Sequence, residues 1–171
     1  MAFDAVRGFR RSLGAGKSLL FVRAMTEVRV ADPTHAQLQT ILRWLKREHV
    51  EDLESSGGFY CNRAIIRQSF KESEIKCLIL GRTIIGFTTF RLSSAYSAID
   101  IFEIRPGYRQ RGYGKNFAQH MINFLFTEGA PHITVECAPR SSEQFWRSLG
   151  FVESGKKYHD WSNPRLSLPA P

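Results

Sequence analysis

The sequence is poor in cysteine and contains no long hydrophobic run, and each shortage excludes a class of protein. Its three cysteines, Cys61, Cys77 and Cys137, are odd in number and lack the spacing of metal ligands, so we expect neither a disulfide framework nor a bound metal. Cys77 and Cys137 lie in apolar runs, which predicts buried, reduced thiols and a cytoplasmic protein. No apolar run approaches the ~20 residues that cross a bilayer, so no membrane partner is expected.

Acidic residues are also scarce, most of all at the start of the chain. There are 16 acidic and 24 basic residues, which gives a net charge of +8 over 171 residues. Residues 1–24 contain one acidic residue, Asp4, against five basic ones: Arg7, Arg10, Arg11, Lys17 and Arg23. This imbalance predicts a basic N-terminal extension over 1–24 and one domain over 25–171, although an organellar targeting peptide would have the same character. A basic chain favours anionic partners, such as phosphorylated cofactors or nucleic acid.

The hydrophobic pattern predicts a strand and two helices in the first part of the domain. Residues 26–31 alternate like a strand, and the proline and threonine at 33 and 34 favour a helix start. Apolar residues then recur at helical spacing as far as about Glu48: Leu38, Ile41, Leu42 and Leu45. A loop over 51–60 with two aromatic residues precedes a second helix over 62–72.

Strands dominate the next part of the chain. The predicted strands cover 75–80, 83–91, 97–104 and 133–137. A helix beginning near Asn116 and ending near Gly129 precedes the last of them, and a short helix ending at Gly150 follows it. The tail has room for one or two short strands. The order β-α-α-β-β-β-α-β-α predicts an α/β fold, that is, a mixed (α+β) sheet with helices on both faces.

The stretch Arg109-Gln110-Arg111-Gly112-Tyr113-Gly114-Lys115 connects a predicted strand to a predicted helix. Its glycines allow backbone amides to approach a phosphate closely, and the start of a helix adds a partial positive charge. Three cationic side chains and two glycine amides within seven residues are all candidate phosphate partners. We therefore expect this turn to hold the pyrophosphate of a coenzyme.

Two motifs together resemble the GNAT superfamily of acyl-CoA-dependent N-acetyltransferases, over about residues 25–160. Residues 109–114 fit the family's (Gln or Arg)-x-x-Gly-x-(Gly or Ala) signature, after a hydrophobic strand and a turn that contains Pro106. Residues 145–151, Phe-Trp-Arg-Ser-Leu-Gly-Phe, resemble the aromatic-aromatic-x-x-Leu-Gly-Phe end of the family's last helix. The resemblance implies transfer of an acetyl group from acetyl-CoA to a primary amine.

The resemblance also implies where acetyl-CoA would bind. In this family the sheet splays between its fourth and fifth strands, here 97–104 and 133–137, and the coenzyme enters the gap. Backbone groups near Phe102 and Ile104 would bind the pantetheine and the thioester oxygen, and the amides of 110–115 would bind the pyrophosphate. The implied cofactor-binding residues are Phe102, Ile104, Arg109, Gln110, Arg111, Gly112, Tyr113, Gly114, Lys115 and Trp146.

Two carboxylates are candidates for the base that leaves the amine neutral. Strand alternation places Asp100 on one face with Phe102 and Ile104, from which other family members offer a catalytic side chain. Glu136 resembles a glutamate that ribosomal-protein N-terminal acetyltransferases carry on the equivalent strand. For either residue, an exposed position or a structural ion pair is the alternative, and we expect Glu103, on the opposite face from Asp100, to be solvated or structural.

The acid that would protonate the departing thiolate has two candidate origins, and the alternative is that no acid acts. Many family members have a tyrosine where this chain has Trp146, and an indole cannot supply a proton at neutral pH. Tyr158 or a water would replace it, or the thiolate would leave unassisted. Cys137 raises the alternative of a covalent acyl-cysteine, although a buried strand thiol is the simpler interpretation.

The acceptor is the least determined part of the prediction. Aromatic residues in the loop 51–61 and in the C-terminal segment would contact it: Phe59, Tyr60, Tyr158, His159 and Trp161. A protein N-terminus or lysine, a small amine, and the amino group of an aminoacyl-tRNA all fit as acceptors. A tRNA or another nucleic acid is therefore a candidate partner. We expect the protein itself to be a monomer or a homodimer. Two rival functions use the same fold: modification of a nucleic acid base, and a CoA-binding regulatory module without turnover.

Overall fold

A computed structural model of the protein describes residues 27–51, 59–95, 97–154 and 163–171. The predicted basic extension 1–24 lies outside the described residues, as do Tyr158, His159 and Trp161. Every statement below about structure concerns the described ranges.

A mixed sheet of seven strands, in the order β1-β2-β3-β4-β5-β7-β6, forms the centre of the described structure. The strands are β1 Val28–Ala31, β2 Ile75–Leu80, β3 Thr83–Leu92, β4 Ser97–Ile104, β5 His132–Glu136, β6 Val152–Glu153 and β7 Arg165–Pro169. β4 and β5 run parallel, and the other neighbouring pairs are antiparallel. The predicted mixed sheet is therefore confirmed, and the tail supplies two short strands.

Four α-helices flank this sheet: α1 His35–Glu51, α2 Arg63–Lys71, α3 Tyr113–Thr127 and α4 Glu143–Arg147. α1 begins with a reciprocal cap, in which the Thr34 N–H donates to Gln37 Oε1 (2.8 Å) and the Gln37 N–H donates to Thr34 Oγ1 (3.3 Å). This cap explains why the predicted start near residue 34 is correct. Within the described ranges, every helix is too short or too polar to cross a membrane.

Two separate hydrophobic clusters, one for each face of the sheet, hold the helices in place. The first joins α1 and α2 to residues such as Cys77, Phe87 and Ile101. The second joins α3 and α4 to residues such as Ile99 and Ile104. The fully buried side chains of both clusters are mostly branched aliphatic and aromatic, as the burial of large apolar areas requires. Helices therefore cover both faces, as predicted.

The sheet splays open between β4 and β5. Their parallel pairing runs from Ser97 opposite Ile133 to Ile99 opposite Val135 and then ends, although β4 continues to Ile104. Past that point the chain stays paired with the β7 side, since the Cys137 N–H donates to the Pro164 carbonyl (2.8 Å). The β5-facing edge of β4 is consequently left without a strand partner in the described part of the chain beyond Ile99. This gap between the fourth and fifth strands confirms the predicted architecture.

A β-bulge at Asp100 breaks the alternation of β4. Thr89 lies opposite Ile101 and Phe90 lies opposite Ile99, so Asp100 is an extra residue on β4. As a result Ile99 and Ile101, although two residues apart, pack into different clusters.

The bulge also places the Asp100 side chain. Asp100 bonds Arg91, which by alternation along β3 lies on the face opposite Phe90 and Leu92, and those two residues pack with the α3/α4 cluster. Asp100 therefore lies on the α1/α2 face. The prediction that it shares a face with Phe102 and Ile104 is wrong, because that prediction assumed a regular strand.

Candidate functional site

The turn between β4 and α3 contains two residues in the left-handed backbone conformation. Gln110 has φ 59°, which is uncommon for a residue with a side chain, and Gly112 has φ 81°. Left-handed residues that alternate with residues of ordinary conformation fold a turn so that its backbone amides converge on a concave, anion-binding surface. Gly112 is also the N-cap of α3 and offers no side chain, so the amides of the first helical turn have no side-chain cap. The helix begins three residues earlier than predicted, inside the turn itself.

The two glycines of the signature have different roles. A Cβ added at Gly112 would meet no protein atom within 4 Å, so the space in front of this residue is open. A Cβ at Gly114 would lie 3.5 Å from Ile104 Cγ1 and 3.8 Å from the Phe145 ring, which are ordinary packing distances. The exposed Gly112 therefore leaves open space beside the turn, whereas Gly114 packs against β4 and α4.

The three cations of the turn also divide. The Arg109 side chain folds back on β4, where Nε donates to the Ile104 carbonyl (2.8 Å) and Nη2 binds Glu103 Oε1 (2.7 Å). The exposed Arg111 lies over the Tyr108 ring at 5.9 Å. The exposed Lys115 has no ion pair with any described residue. Arg109 therefore fixes the turn to the strand, and Arg111 and Lys115 are the cations that face solvent.

An aromatic cluster lies beneath the open edge of β4. The Phe102 ring centroid is 5.2 Å from Phe117, 5.8 Å from Phe145 and 5.3 Å from Trp146. Trp146 is only 4% exposed and also meets Phe151 edge to face at 5.3 Å. The indole therefore fills the position where many family members have tyrosine, and it contributes packing there instead of a titratable hydroxyl.

Both predicted base candidates are engaged in ion pairs. Asp100 accepts two hydrogen bonds from Arg91, from Nε to Oδ2 (2.7 Å) and from Nη2 to Oδ1 (2.6 Å). Glu136 is exposed and accepts hydrogen bonds from Asn163 Nδ2 (3.2 Å) and Arg165 Nη2 (3.1 Å). Asp100 lies at the point where β4 and β5 separate, whereas Glu136 lies at the end of β5 beside β7. The two carboxylates thus belong to different parts of the site.

The buried cysteines are poor nucleophiles in this environment. Cys77 and Cys137 are both fully buried. Burial raises the pKa of Cys77 to about 12, with a smaller effect from the nearby charge of Asp32. Burial likewise raises the pKa of the Cys137 thiol, and the charge of Glu143 adds to the rise. Since the thiolate is the reactive form, the covalent acyl-cysteine alternative loses support.

Several polar residues on the α1/α2 face were missed by sequence reasoning. Glu103 has a side chain that is only 12% exposed, and burial raises the pKa of its carboxyl group even though Arg109 opposes the rise. Of the two alternatives expected for Glu103, solvated or structural, the structure shows the structural one, an ion pair with Arg109. On α1, Trp44 and Glu48 also occupy inward-facing positions, which the pattern of aliphatic residues at helical spacing does not include. The available signal was their i, i+4 spacing on the core-facing side of the helix.

The described end of the predicted acceptor loop packs against α1. Residues Phe59–Asn62 form a short 3₁₀ turn, and Phe59 and Tyr60 pack on the α1/α2 cluster. The Tyr60 ring centroid lies 5.7 Å from that of His49, and the Arg63 guanidinium lies 5.2 Å from the Tyr60 ring. Of the aromatic residues expected near the acceptor, Phe59 and Tyr60 thus pack with α1, and Tyr60 lies beside its C-terminal end.

Comparison with protein families finds one match. Residues 38–151 fit the family model described as the acetyltransferase (GNAT) family, a range that contains β2 to β5, the turn and α4. No protein among those with curated functions matches this chain.

Solved structures share the fold at low sequence identity. The ribosomal-protein-S18-alanine N-acetyltransferase from Escherichia coli is 14% identical with a TM-score of 0.65, over 84% of this chain and 94% of that one. The paiA N-acetyltransferase from Thermoplasma acidophilum, solved in complex with coenzyme A, is 12% identical with a TM-score of 0.63, over 84% and 99%. N-acetylglutamate synthase from Neisseria gonorrhoeae is 13% identical with a TM-score of 0.65, over 85% of this chain and 36% of that one. Likenesses this distant establish the fold.

Proposed function

The chain belongs to the GNAT family of acetyltransferases, which are acyltransferases that use acetyl-CoA, and from this membership we propose that it acetylates a primary amine. The observation that carries the proposal is the combination of a splayed β4–β5 edge with an open, amide-lined turn at its end. The strand edge suits an extended thioester arm, and the turn suits a pyrophosphate.

The residues of the turn and of β4 fit the coenzyme. The amides of residues 110–115 would hold the pyrophosphate in the space that Gly112 leaves open, and Arg111 and Lys115 would neutralise its charge. The edge of β4 that has no β5 partner, near Phe102 and Ile104, would bind the pantetheine, and Trp146 would pack against Phe102 behind it. Acetyl-CoA would supply the acetyl group as an activated thioester.

The chain's own residues have three tasks in acyl transfer. The Phe102 amide would donate to the thioester oxygen, where negative charge grows during attack. Asp100 is the preferred base because it lies at the splay, with Glu136 as the second candidate. Trp146 supplies no acid, so Tyr158 is the proposed acid, with water as its alternative.

The acceptor is proposed from fold neighbours and from charge. The E. coli neighbour acts on a ribosomal-protein alanine, which favours a peptide amine as the acceptor here. A nucleic-acid-linked amine, such as that of an aminoacyl-tRNA, is the second candidate because the outer side of α1 is basic. Arg43, Lys46 and Arg47 line a cavity of about 580 Å³ there, together with Thr40 and Val50. The buried thiols of Cys77 and Cys137 support a reducing, cytoplasmic setting.

One experiment separates the enzyme from a CoA-binding module without turnover, an alternative favoured by the buried Trp146. Thermal unfolding is measured with no ligand, with CoA and with acetyl-CoA, and thiol release is then followed with peptide amines, small amines and charged tRNA. We expect both ligands to raise the melting temperature and at least one amine to release thiol. If neither ligand raises the melting temperature, the coenzyme site is wrong. If the ligands raise it but no amine releases thiol, the result supports the CoA-binding module.

A further inference from the structure

Two polar atoms on the inner side of α1 are buried and have no hydrogen-bond partner among the residues that the structure describes. They are Trp44 Nε1, on a side chain that is 4% exposed, and Glu48 Oε1. Residues four apart on a helix lie on the same side, so both atoms face the sheet. One is a donor and the other an acceptor.

A second carboxylate approaches them from the sheet. The Trp44 ring meets Phe87 edge to face at 5.7 Å, and Phe87 lies directly opposite Glu103 on the neighbouring strand. Burial raises the pKa of Glu103, Arg109 lowers it in part, and the negative charge of Glu48 adds to the rise. Glu103 thus lies across from the residue that Trp44 contacts, and both carboxylates are on the α1/α2 face of the sheet.

A third unpartnered atom belongs to the same face. Thr89 is fully buried, its Oγ1 has no hydrogen-bond partner, and its cross-strand neighbour is Ile101, two residues before Glu103. Buried polar groups are nearly always hydrogen-bonded, and each exception destabilises the fold. Three unpartnered buried atoms, together with the Glu103 carboxylate, whose burial Arg109 compensates only in part, indicate a site that a ligand completes.

The position of this group relates it to the proposed reaction. Glu48 and Glu103 lie on the α1/α2 face, whereas the turn and the aromatic cluster that supports it lie against α3 and α4. β4 lies between the two sides, and its edge is open beyond Ile99. A group bound beside α1 would thus face β4 from the side opposite the helices that hold the coenzyme.

We propose that Glu48 and Glu103 form the subsite that binds the cationic head of the acceptor amine, with Trp44 and Thr89 lining it. The ammonium group would donate to Glu48 Oε1, and the Trp44 N–H would donate to an oxygen of the same acceptor. Although the protein has a net charge of +8, this subsite selects positively charged amines. The inference rests on the proposed acetyl transfer and adds the class of acceptor to it.

The test compares Glu48→Gln and Glu103→Gln with Glu128→Gln, which changes an exposed carboxylate at the end of α3. Acceptors are a tripeptide amide with a free α-amine, spermidine, and aniline, which is uncharged at neutral pH. We expect wild type to prefer the two cationic amines and Glu48→Gln to lower kcat/KM for them by about 10-fold or more. Aniline should lose less than about threefold, since it places no cation in the subsite.

Other measurements separate this inference from the proposed function. CoA should raise the melting temperature of Glu48→Gln and of Glu128→Gln as it does that of wild type, because Glu48 lies on the other side of β4 and has no contact with the turn; Glu103→Gln also releases Arg109 of the turn and is compared only for acceptor preference. Glu48→Gln should itself melt about 2–4 °C higher than wild type, since a strained binding site is relieved. If wild type acetylates none of the cationic amines, if it prefers aniline, or if Glu48→Gln stays within about twofold of Glu128→Gln on the cationic amines, the subsite is wrong. The coenzyme site would then stand or fall by the CoA titration alone.

Discussion

The two sides of β4 are built by different means. On the α3/α4 side, the proposed coenzyme site consists mainly of backbone groups from one contiguous turn, shaped by Gly112 and fixed by Arg109. On the α1/α2 side, the proposed acceptor site consists of side chains from α1, β3 and β4 that only tertiary packing brings together. A backbone-made site tolerates almost any side chain except where a Cβ would intrude, whereas a side-chain-made site changes with each substitution.

This difference predicts where single substitutions have large effects and where the two sides are independent. A change in the turn should remove coenzyme binding without altering acceptor preference. A change on the α1/α2 face should do the opposite, except at Glu103, whose carboxylate binds Arg109 of the turn.

The largest effect is expected from Gly112→Val. A β-branched side chain would enter the open space of the turn at φ 81°, where such residues are strained. We expect the Kd for CoA to rise at least about 100-fold, which corresponds to about 3 kcal/mol. The strain should cost about 1–2 kcal/mol of folding stability. Isothermal titration with CoA and thermal unfolding measure the two effects separately.

Gly114→Ala is the matched control for this change. Its added Cβ would make ordinary contacts with Ile104 and Phe145, so CoA affinity should stay within about threefold. Equal losses in the two variants would show that the turn is sensitive to any substitution, and the distinction between an open glycine and a packed one would fail.

A smaller but still large effect is expected from Asp100→Asn. Asp100 lies on the α1/α2 face at the splay and is held by Arg91, so it is the carboxylate best placed to act on an amine from that side. Loss of a general base lowers kcat by about 100-fold in typical enzymes. CoA affinity should not change. Steady-state kinetics with a peptide amine, alongside the CoA titration, provides the measurement.

Glu136→Gln is the comparison for the second candidate base. Glu136 is exposed and bound to Asn163 and Arg165 beside β7, so its replacement should lower kcat by less than about threefold. If Glu136→Gln costs more than Asp100→Asn, the assignment of the base to the bulge is reversed.

The part of the structure that could be predicted from the sequence also differs between the two sides of β4. The order of elements, the bounds of β4 at 97 and 104 and the turn follow from contiguous patterns, and the splay follows from the family resemblance that two of those patterns carry. The bulge at Asp100 does not, because Ile-Asp-Ile alternates as a regular strand would and the extra residue appears only in the register with β3. The start of α3 was placed three residues late because Gly114 in its first turn lowers helix propensity locally.

The acceptor side could not be predicted for a further physical reason. Trp44 and Glu48 lie far from Glu103 in the sequence, and the burial of these side chains depends on how α1 packs against the sheet. The i, i+4 spacing of Glu48 from Trp44 indicates the inward side of the helix, but it does not indicate that a carboxylate of β4 lies on the same face.

The third prediction concerns pH and stability, and its effect is a shift of a few degrees. The pKa of Glu103 is raised in the folded protein by burial, which Glu48 reinforces and Arg109 opposes. The folded state therefore holds this proton more tightly than the unfolded state, so the contribution of Glu103 to stability is largest below its ordinary pKa of about 4.3 and is lost as pH rises through the folded value. Glu103→Gln should remove this loss.

Melting temperatures of wild type and Glu103→Gln, measured from pH 4 to pH 7, test the sign. The variant should gain on wild type as pH rises. Glu128→Gln, which changes an exposed carboxylate, should follow wild type throughout. A variant that loses ground with rising pH would show that the pair with Arg109 outweighs burial.

The smallest effect is expected from Cys137→Ala, and it tests whether the two sides act together on one acceptor. Cys137 is fully buried at the end of β5, and burial keeps its pKa high and its thiol neutral. Loss of the sulfur should cost about 1 kcal/mol of stability through a small cavity. The rate of acetyl transfer should stay within about threefold, because direct attack by the amine needs no protein nucleophile. Mass spectrometry of enzyme quenched with acetyl-CoA, before amine is added, should find no acetyl group on Cys137 in wild type. An acetylated Cys137, or a rate loss of about 100-fold, would mean that the acetyl group crosses from the coenzyme side to the acceptor side in two transfers, and the carboxylates of the α1/α2 face would then serve only the second.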